Sequence, residues 1–228
     1  YDLPYLAHAT MEPQNCTVRI GDGECEIWCG SQFQTIDQAT AAMIAGVKPE
    51  NVKFHTPFLG GGFGRRATPL AQVVAEAVAV AKAAGMPVKT VWTREDDTRG
   101  GYYRPMFHHR IRVGLDDKGM PSAWHHVLVG QSILEGTPFA AMMIKDGIDG
   151  TFVEGTSDSP YLDNIPNRLV ELHSLKLPIT TLWWRSVGHS HTAFVMETFI
   201  DELARTAGKD PLEYRRGLLQ GHDRHLGV

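Results

Sequence analysis

The residues best suited to bind a ligand stand in one short run, Gly60-Gly61-Gly62-Phe63-Gly64, followed directly by Arg65 and Arg66. Because glycine has no Cβ, its backbone adopts positive φ angles and lets a ligand approach the main chain closely. A strand is predicted before the run, over 52–58, and a helix after it, from Thr68-Pro69. A glycine loop between a strand and a helix can bind an anion through backbone N–H groups and the helix dipole. The sequence therefore predicts a ligand loop here; the alternative is a tight turn whose glycines serve only packing.

Cysteine and histidine are the other residue types in the chain that commonly bind metals. Cys16, Cys25 and Cys29 are odd in number and do not form a disulfide pattern. No second Cys or His pair with zinc spacing lies near them, so small buried residues are the favoured interpretation. The doublets His108-His109 and His125-His126 lie on predicted strands, where adjacent side chains point to opposite faces. We therefore expect no metal ion held directly by histidine.

Composition places the chain among ordinary globular proteins. It has 228 residues, 43% of them hydrophobic and 21% charged, and a formal net charge of −4. This charge argues against a general nucleic-acid binder. No apolar run approaches the roughly 18 residues that span a bilayer. The first residue is Tyr1 rather than Met, so we expect a fragment of a longer protein, and the compartment stays open.

The clearest predicted helix follows the glycine loop. Apolar residues recur at helical spacing at Leu70, Val73, Val74, Ala77, Val78 and Ala81. Thr68 is predicted as its N-cap, Pro69 as a first-turn residue and Gly85 as its end. An earlier helix over 33–44 is predicted with a capping box at Thr35 and Gln38 and an end at Gly46.

The remaining patterns predict a mixed fold. An extended lead-in is expected over 1–17 and an irregular connection over 131–167. Strands are predicted over 24–30, 52–58, 88–93, 107–115, 122–130 and 169–177, and further helices over 193–207 and from Asp210-Pro211. The turn residues at 116–119 make the fourth and fifth strands a hairpin. This order predicts an α+β fold with mixed β-sheets and packed helices, and no linker divides the chain.

Seven blocks, in order along nearly the whole chain, carry a family resemblance. They are His8-Ala9-Thr10-Met11-Glu12-Pro13, Trp28-Cys29-Gly30-Ser31-Gln32, Gly60 to Arg66, Trp92-Thr93-Arg94-Glu95-Asp96-Asp97, Tyr103-Arg104-Pro105, Trp184-Arg185-Ser186-Val187-Gly188-His189 and Phe199-Ile200-Asp201-Glu202-Leu203-Ala204. Together they resemble the molybdopterin-binding large subunit of the xanthine oxidase family, in its isoquinoline 1-oxidoreductase and aldehyde dehydrogenase β-subunit branch. The resemblance implies that 1–228 is the first molybdenum-cofactor-binding domain of a larger subunit.

The resemblance also implies a set of site residues. The pterin dithiolene holds the metal, and the implied cofactor-binding residues are Gln32, Gly61, Gly62, Phe63, Gly64 and Arg185. Gln32, Phe63 and Arg185 would surround the metal without bonding to it. Gln32 would donate its amide N–H to a metal oxo group, Phe63 would contribute backbone contacts, and Arg185 would balance negative charge. From the residues alone, Gln32 also fits a helix entry, Phe63 a core position, and Arg185 a cation stacked on an indole.

Substrate, cofactors and partners follow from the same resemblance. Ala67 stands on the substrate side, where xanthine oxidases carry a glutamate, which disfavours a purine and leaves aldehydes or N-heterocycles. The cofactor is expected in its cytosine dinucleotide form, with [2Fe-2S] clusters on a partner subunit. The family's catalytic glutamate lies in a second cofactor domain, so no catalytic residue is expected within 1–228. The isolated chain is expected to be inactive.

Two functions from other classes remain as alternatives. One is a non-catalytic phosphate- or nucleotide-binding module that uses the Gly60–Gly64 loop. No Lys-Ser/Thr pair follows these glycines, and their spacing does not match G-x-G-x-x-G, so both common nucleotide motifs are excluded. The other is a structural half-subunit whose partner domain performs the chemistry.

Overall fold

The computed structural model describes all residues, 1–228. The residues group into two compact units. The loop unit comprises Leu6–Arg104 and Ile179–Arg185, and the hairpin unit comprises Tyr1–Tyr5, Pro105–Pro178 and Ser186–Val228. None of the helices combines the length and apolarity that crossing a bilayer requires. The predicted α+β class is confirmed.

The chain contains twelve strands and seven α-helices. The strands are β1 (Asp2–Leu3), β2 (Leu6–Ala7), β3 (Asn15–Gly21), β4 (Glu24–Trp28), β5 (Val52–His55), β6 (Val88–Val91), β7 (Tyr103–Arg104), β8 (Phe107–Leu115), β9 (Pro121–Gly130), β10 (Ile144–Lys145), β11 (Ile148–Asp149) and β12 (Asn167–Ser174). The helices are α1 (Gln34–Ala45), α2 (Gln72–Ala84), α3 (Arg94–Arg99), α4 (Ala140–Met143), α5 (His189–Thr206), α6 (Pro211–Leu218) and α7 (Asp223–Leu226).

The loop unit is built on a four-stranded sheet in the order β5-β4-β3-β6. β3 runs antiparallel to β4 and β6, whereas β5 runs parallel to β4. A parallel neighbour requires a crossover connection, and α1 supplies it. Alternate residues of β3 and β4 are buried and pack with apolar residues of α1 and α2; the sheet contributes Cys16, Val18, Cys25, Ile27 and, just past β4, Cys29. All three cysteines are buried and unpaired, which confirms their interpretation as small core residues.

Helix α2 confirms the predicted stripe but not the predicted start. Val73, Val74, Ala77, Val78 and Ala81 are buried, and Gly85 ends the helix at φ 64°. The helix begins at Gln72, after Ala71 at φ 48°, because the Thr68 hydroxyl accepts the N–H of Gln72 from outside the helix. Thr68 is therefore not the N-cap, and Pro69 is not in the first turn. Leu70, expected on the stripe, is 65% exposed.

Helix α1 is capped differently from the prediction. Thr35 lies inside the helix, and its predicted capping box with Gln38 does not form. Instead, the Ser31 hydroxyl accepts the N–H of Phe33 and donates to the Asp37 carboxylate. This arrangement closes the helix start two residues upstream of Thr35. Gly46 ends the helix at φ 80°, as predicted.

Strand β3 and helix α3 of the loop unit were missed, as was the short pair β2–β7. The expected lead-in over 1–17 includes the start of β3, which is the central strand paired with both β4 and β6. The charged run after Thr93 forms α3, whose capping box joins Thr93 and Asp96. Acidic residues in the first turn of α3 suit the positive end of its dipole.

The hairpin unit confirms the predicted β8–β9 hairpin, with Phe107 opposite Gly130. The Asp116 carboxylate closes the turn by accepting the N–H groups of Lys118 and Met120. The sheet order is β1-β8-β9-β12, with β12 parallel to β9. Helices α5 and α6 pack on this sheet, and their shared core includes Trp124, Leu162, Met196, Ile200, Tyr214 and Leu218. Asp210 caps α6 as predicted, accepting the N–H groups of Leu212 and Glu213.

Within each histidine doublet the two side chains point to opposite faces of this sheet, as predicted. His108 and His125 face outward and pair with Asp2 and Glu171. His109 and His126 face the core and lie 2.9 Å apart, and His109 also contacts His191 at 3.0 Å. Burial lowers the pKa of His109 to about 3 and that of His126 to about 4. His109 and His126 are therefore neutral at physiological pH.

Candidate functional site

The glycine loop follows β5 and turns sharply through left-handed backbone conformations. Gly61 and Gly64 lie at φ 100° and 103°, and Phe63 lies at φ 55°. A non-glycine residue in this region is strained by about 1–3 kcal/mol, and such strain is typical of functional loops. The Gly62 and Gly64 carbonyls accept the N–H groups of Arg65 and Ala67, at 2.9 and 3.1 Å. These bonds hold the turn in one shape.

Other segments approach three glycines of the loop closely. A Cβ at Gly60 would lie 2.4 Å from Glu12 Cβ, and one at Gly62 would lie 2.3 Å from Gln32 Oε1. A Cβ at Gly64 would lie 2.5 Å from the Trp183 carbonyl oxygen. The glycines thus do serve packing. The segments they admit are the ones that carry the candidate site residues.

Gln32 is fixed to the loop by its side-chain oxygen. Its Oε1 accepts the backbone N–H groups of Gly64 and Arg66, at 3.1 and 3.3 Å. The backbone N–H of Gln32 donates to the Arg66 carbonyl at 2.9 Å. Because two N–H donors surround one terminal atom of the amide, that atom is the oxygen. The side-chain nitrogen makes no hydrogen bond in the protein, and the residue is exposed. Gln32 therefore presents an unused donor to the space beside the loop.

Arg185 joins the same place through the backbone of Phe63. The Arg185 N–H donates to the Phe63 carbonyl at 2.9 Å. Its guanidinium is exposed and makes no hydrogen bond or ion pair. Phe63 is 39% exposed, and Ala67 is half-buried one turn further along. The structure thus brings together Gln32, Gly61 to Gly64, Ala67 and Arg185, which are far apart in the sequence.

Arg65 and Arg66 do not present their charges at the loop surface. Arg65 is 3% exposed and lies between the rings of Trp92 and Tyr102, with its Cζ atom 5.5 and 5.6 Å from the ring centroids. Burial lowers its pKa. The side chain of Arg66 is 1% exposed. Helix α2 begins at Gln72, eight residues after Gly64, so its N-terminus does not directly follow the glycines. The predicted anion loop on a helix N-terminus is therefore wrong in this detail.

His8 and Glu12 are site-supporting residues that the sequence alone did not identify. His8 Nε2 lies 3.1 Å from the Trp183 carbonyl, and its ring stacks on Trp184 at 4.8 Å. Burial lowers the pKa of His8, so the ring is neutral. The Glu12 carboxylate accepts the Gly60 N–H at 2.7 Å. Both lie in the first quoted block, and only their distant contacts reveal their roles.

The arrangement suits a large anionic ligand better than a catalytic reaction by side chains alone. It offers an amide donor, a guanidinium, an aromatic ring and a backbone without side chains. No nucleophile or general base stands among these residues. No group of three or more His, Cys, Asp or Glu side chains in the structure can hold a metal ion. A metal ion bound here would need ligand atoms from a cofactor, because the protein side chains supply none.

Comparison with known proteins identifies the chain's relatives. Residues 1–218 match the family described as "Molybdopterin cofactor-binding domain". The chain is 29% identical over 230 residues to the isoquinoline 1-oxidoreductase subunit beta of Brevundimonas diminuta, covering 100% of this chain and 28% of that protein. It is 28% identical over 216 residues to the aldehyde oxidoreductase molybdenum-binding subunit of Escherichia coli, covering 94% and 28%.

A solved structure shares the fold. Quinoline 2-oxidoreductase from Pseudomonas putida 86 superposes with a TM-score of 0.75 at 18% identity, over 95% of this chain and 27% of that one. The chain therefore spans less than a third of the relatives that it matches.

Proposed function

Because the chain belongs to the molybdopterin cofactor-binding domain family, we propose that it forms part of a molybdenum hydroxylase that oxidises an aldehyde or an N-heterocycle. One observation carries this proposal: the fixed amide of Gln32, whose unused N–H lies on the loop that also holds Arg185. The relatives named for isoquinoline and aldehyde oxidation support the substrate class. The role of each site residue is likewise a proposal.

The residues present fit a molybdenum cofactor. Such a cofactor brings its own sulfur ligands, so the protein needs no metal-binding side chains, and this site has none. Gln32 would donate its free N–H to an oxygen on the metal, and the exposed Arg185 guanidinium would balance negative charge. The loop from Gly61 to Gly64 would contribute backbone contacts to the cofactor. When bound, the cofactor supplies the two-electron oxidation and the oxygen atom derived from water.

Each residue of the site has a limited task in this reaction. Gln32 and Phe63 orient, Arg185 neutralises, and Ala67 leaves room on the substrate side where a larger side chain would block it. None of them can accept a proton at neutral pH. We propose that the base is a glutamate in a second cofactor domain of the same subunit. By itself, residues 1–228 would then bind but not turn over substrate.

We further propose a cytosine dinucleotide form of the cofactor and a partner with [2Fe-2S] clusters that removes electrons. The relatives' names support a subunit organisation, since two of them are described as subunits. A separate phosphate- or nucleotide-binding module is disfavoured. Both arginines after the glycines are buried, and the following helix starts eight residues later. The glycine run therefore has neither an exposed arginine directly after it nor a helix N-terminus behind it, which such a module needs.

A pair of variants in the complete protein tests this function. Gln32→Ala removes the free donor, whereas Gln34→Ala removes an exposed amide two residues away that makes only a 3.5 Å contact. We expect Gln32→Ala to lower aldehyde or N-heterocycle oxidation by about 100-fold, comparable to loss of one preorganised donor. Gln34→Ala should match the wild type. Equal activity of both variants, or a wild-type protein without molybdenum, would contradict the proposal.

A further inference from the structure

Arg66 connects three segments that are distant in the sequence. Its Nε donates to the Gly61 carbonyl at 3.0 Å, its Nη1 to the Gly30 carbonyl at 3.4 Å, and its Nη2 to the Glu12 carbonyl at 3.2 Å. Nη2 also lies 3.0 Å from the Glu12 carboxylate. With a side chain only 1% exposed, Arg66 acts as a buried hub and not as a surface cation.

Glu12 completes the hub from the other side of the loop. Its carboxylate accepts the Gly60 N–H at 2.7 Å and the Asn15 amide at 2.6 Å. Its backbone N–H donates to the Gly60 carbonyl at 3.0 Å, so Glu12 binds Gly60 in both directions. Partial burial acts to raise the pKa of Glu12, but the Gly60 N–H, the Asn15 amide and the Arg66 guanidinium together lower it. The carboxylate is therefore ionised opposite Arg66.

The backbone of Arg66 contacts Gln32 twice. The side-chain oxygen of Gln32 accepts the backbone N–H of Arg66, and the backbone N–H of Gln32 donates to the Arg66 carbonyl. A shift of the Arg66 backbone must therefore turn the Gln32 side chain. Resting on the function proposed above, we propose that Arg66 and Glu12 form a positioning pair that fixes where Gln32 directs its unused N–H.

The chemistry of arginine explains why this residue type is needed. A guanidinium has five N–H donors in a planar fork, which can reach three carbonyls and a carboxylate together. A lysine keeps the charge but offers three donors on a single point, so it cannot hold all three segments. Glu12→Gln keeps an acceptor for Gly60 but leaves the Arg66 charge buried without its counter-ion, which is costly.

The test uses the complete protein with Arg66→Lys, Glu12→Gln and, as a matched control, Arg19→Lys. Arg19 also pairs with a glutamate, at 2.6 Å, but its side chain is 56% exposed. For Arg66→Lys we expect kcat per bound molybdenum to fall about 100-fold with little change in KM, as for an active-site group displaced by about 1 Å. The electron paramagnetic resonance spectrum of the metal should change as well. In the Arg66→Lys/Gln32→Ala double variant, the loss should not exceed that of Gln32→Ala alone, because both act through one group.

Hydrogen exchange provides a readout that needs no metal. In Arg66→Lys, the Gly64 and Arg66 amides should exchange about 10-fold faster or more, since they lose their fixed acceptor on Gln32. Arg19→Lys should leave them unchanged. Unchanged amide exchange in Arg66→Lys overturns the positioning role. So do losses of kcat that add up in the double variant, or a lower yield of folded protein with unaltered kcat per molybdenum. If the wild type holds no molybdenum, the proposed function fails, but the exchange measurement still decides the positioning role.

Discussion

Gly62→Ala isolates the contact between the glycine loop and Gln32. The backbone at Gly62 has an ordinary φ, so alanine brings no conformational strain of its own. Its Cβ would lie 2.3 Å from Gln32 Oε1, whereas real Cβ contacts stay beyond 3.0 Å. The oxygen must therefore move by at least about 0.7 Å, the difference between these distances. A shift of that size away from the loop stretches the bonds from Gly64 and Arg66, now 3.1 and 3.3 Å, past 3.5 Å.

The energetic consequence follows from the two lost bonds. At about 0.5–1.5 kcal/mol each, they lower the free energy of unfolding by about 1–3 kcal/mol. Displacement of the Gln32 amide should in addition lower kcat by about 100-fold in the complete protein. Gly21→Ala is the matched control, because its Cβ meets nothing within 4 Å and its φ is also ordinary.

The assay is urea unfolding of the complete protein followed by tryptophan fluorescence, with kcat measured on the same preparations. Gly21→Ala should stay within about 0.5 kcal/mol of the wild type. If Gly62→Ala has the same unfolding midpoint and kcat as Gly21→Ala, the Gln32 oxygen does not lie against Gly62 as described.

Two further predictions concern charge. The folded-state pKa values of His109 and His126, about 3 and about 4, lie below the usual 6.5, so the unfolded chain binds more protons in this window. The free energy of unfolding is therefore unaffected by these histidines above pH 6.5 and falls as the pH is lowered, by about 4 kcal/mol in total between pH 7 and pH 5. Asp37 partly offsets this loss, because burial raises its pKa to about 6 and the folded chain then binds its proton first. Urea midpoints at the two pH values check this, and equal midpoints would contradict it. Arg185→Ala should change stability by less than about 0.5 kcal/mol, because its guanidinium is exposed and unpaired, yet lower molybdenum content or kcat in the complete protein; a large loss of stability without loss of either would speak against the site.

Local chemistry explains the parts of the fold that the sequence predicted. The β8–β9 hairpin depends on turn residues within 116–119, and α6 on the cap of Asp210 beside Pro211. The buried face of α2 was likewise predicted, since the spacing of apolar residues indicates which side of a helix packs on the core. The start of α2 was not, because it depends on Ala71 in a left-handed conformation, which alanine rarely adopts.

The candidate site could be located from the sequence but not assembled. The glycine run marked the loop, and the family resemblance pointed to Gln32, Phe63 and Arg185, which the structure brings together. The burial of Arg65 depends on Trp92 and Tyr102, and that of Arg66 on Glu12, 54 residues earlier. Such distant contacts leave no periodic or local signal. For this reason the sequence suggested that Arg65 and Arg66 bind an anion, whereas both side chains are buried and contact residues that pack around the loop.

The metal content of the complete protein decides whether residues 1–228 help to hold a molybdenum cofactor. We expect purified protein to contain molybdenum in stoichiometric amount and to release a cytosine nucleotide with it on acid treatment, and Gln32→Ala to lower activity per molybdenum. Folded wild-type protein that binds phosphate or a free nucleotide at the glycine loop but contains no molybdenum would instead identify a phosphate-binding module.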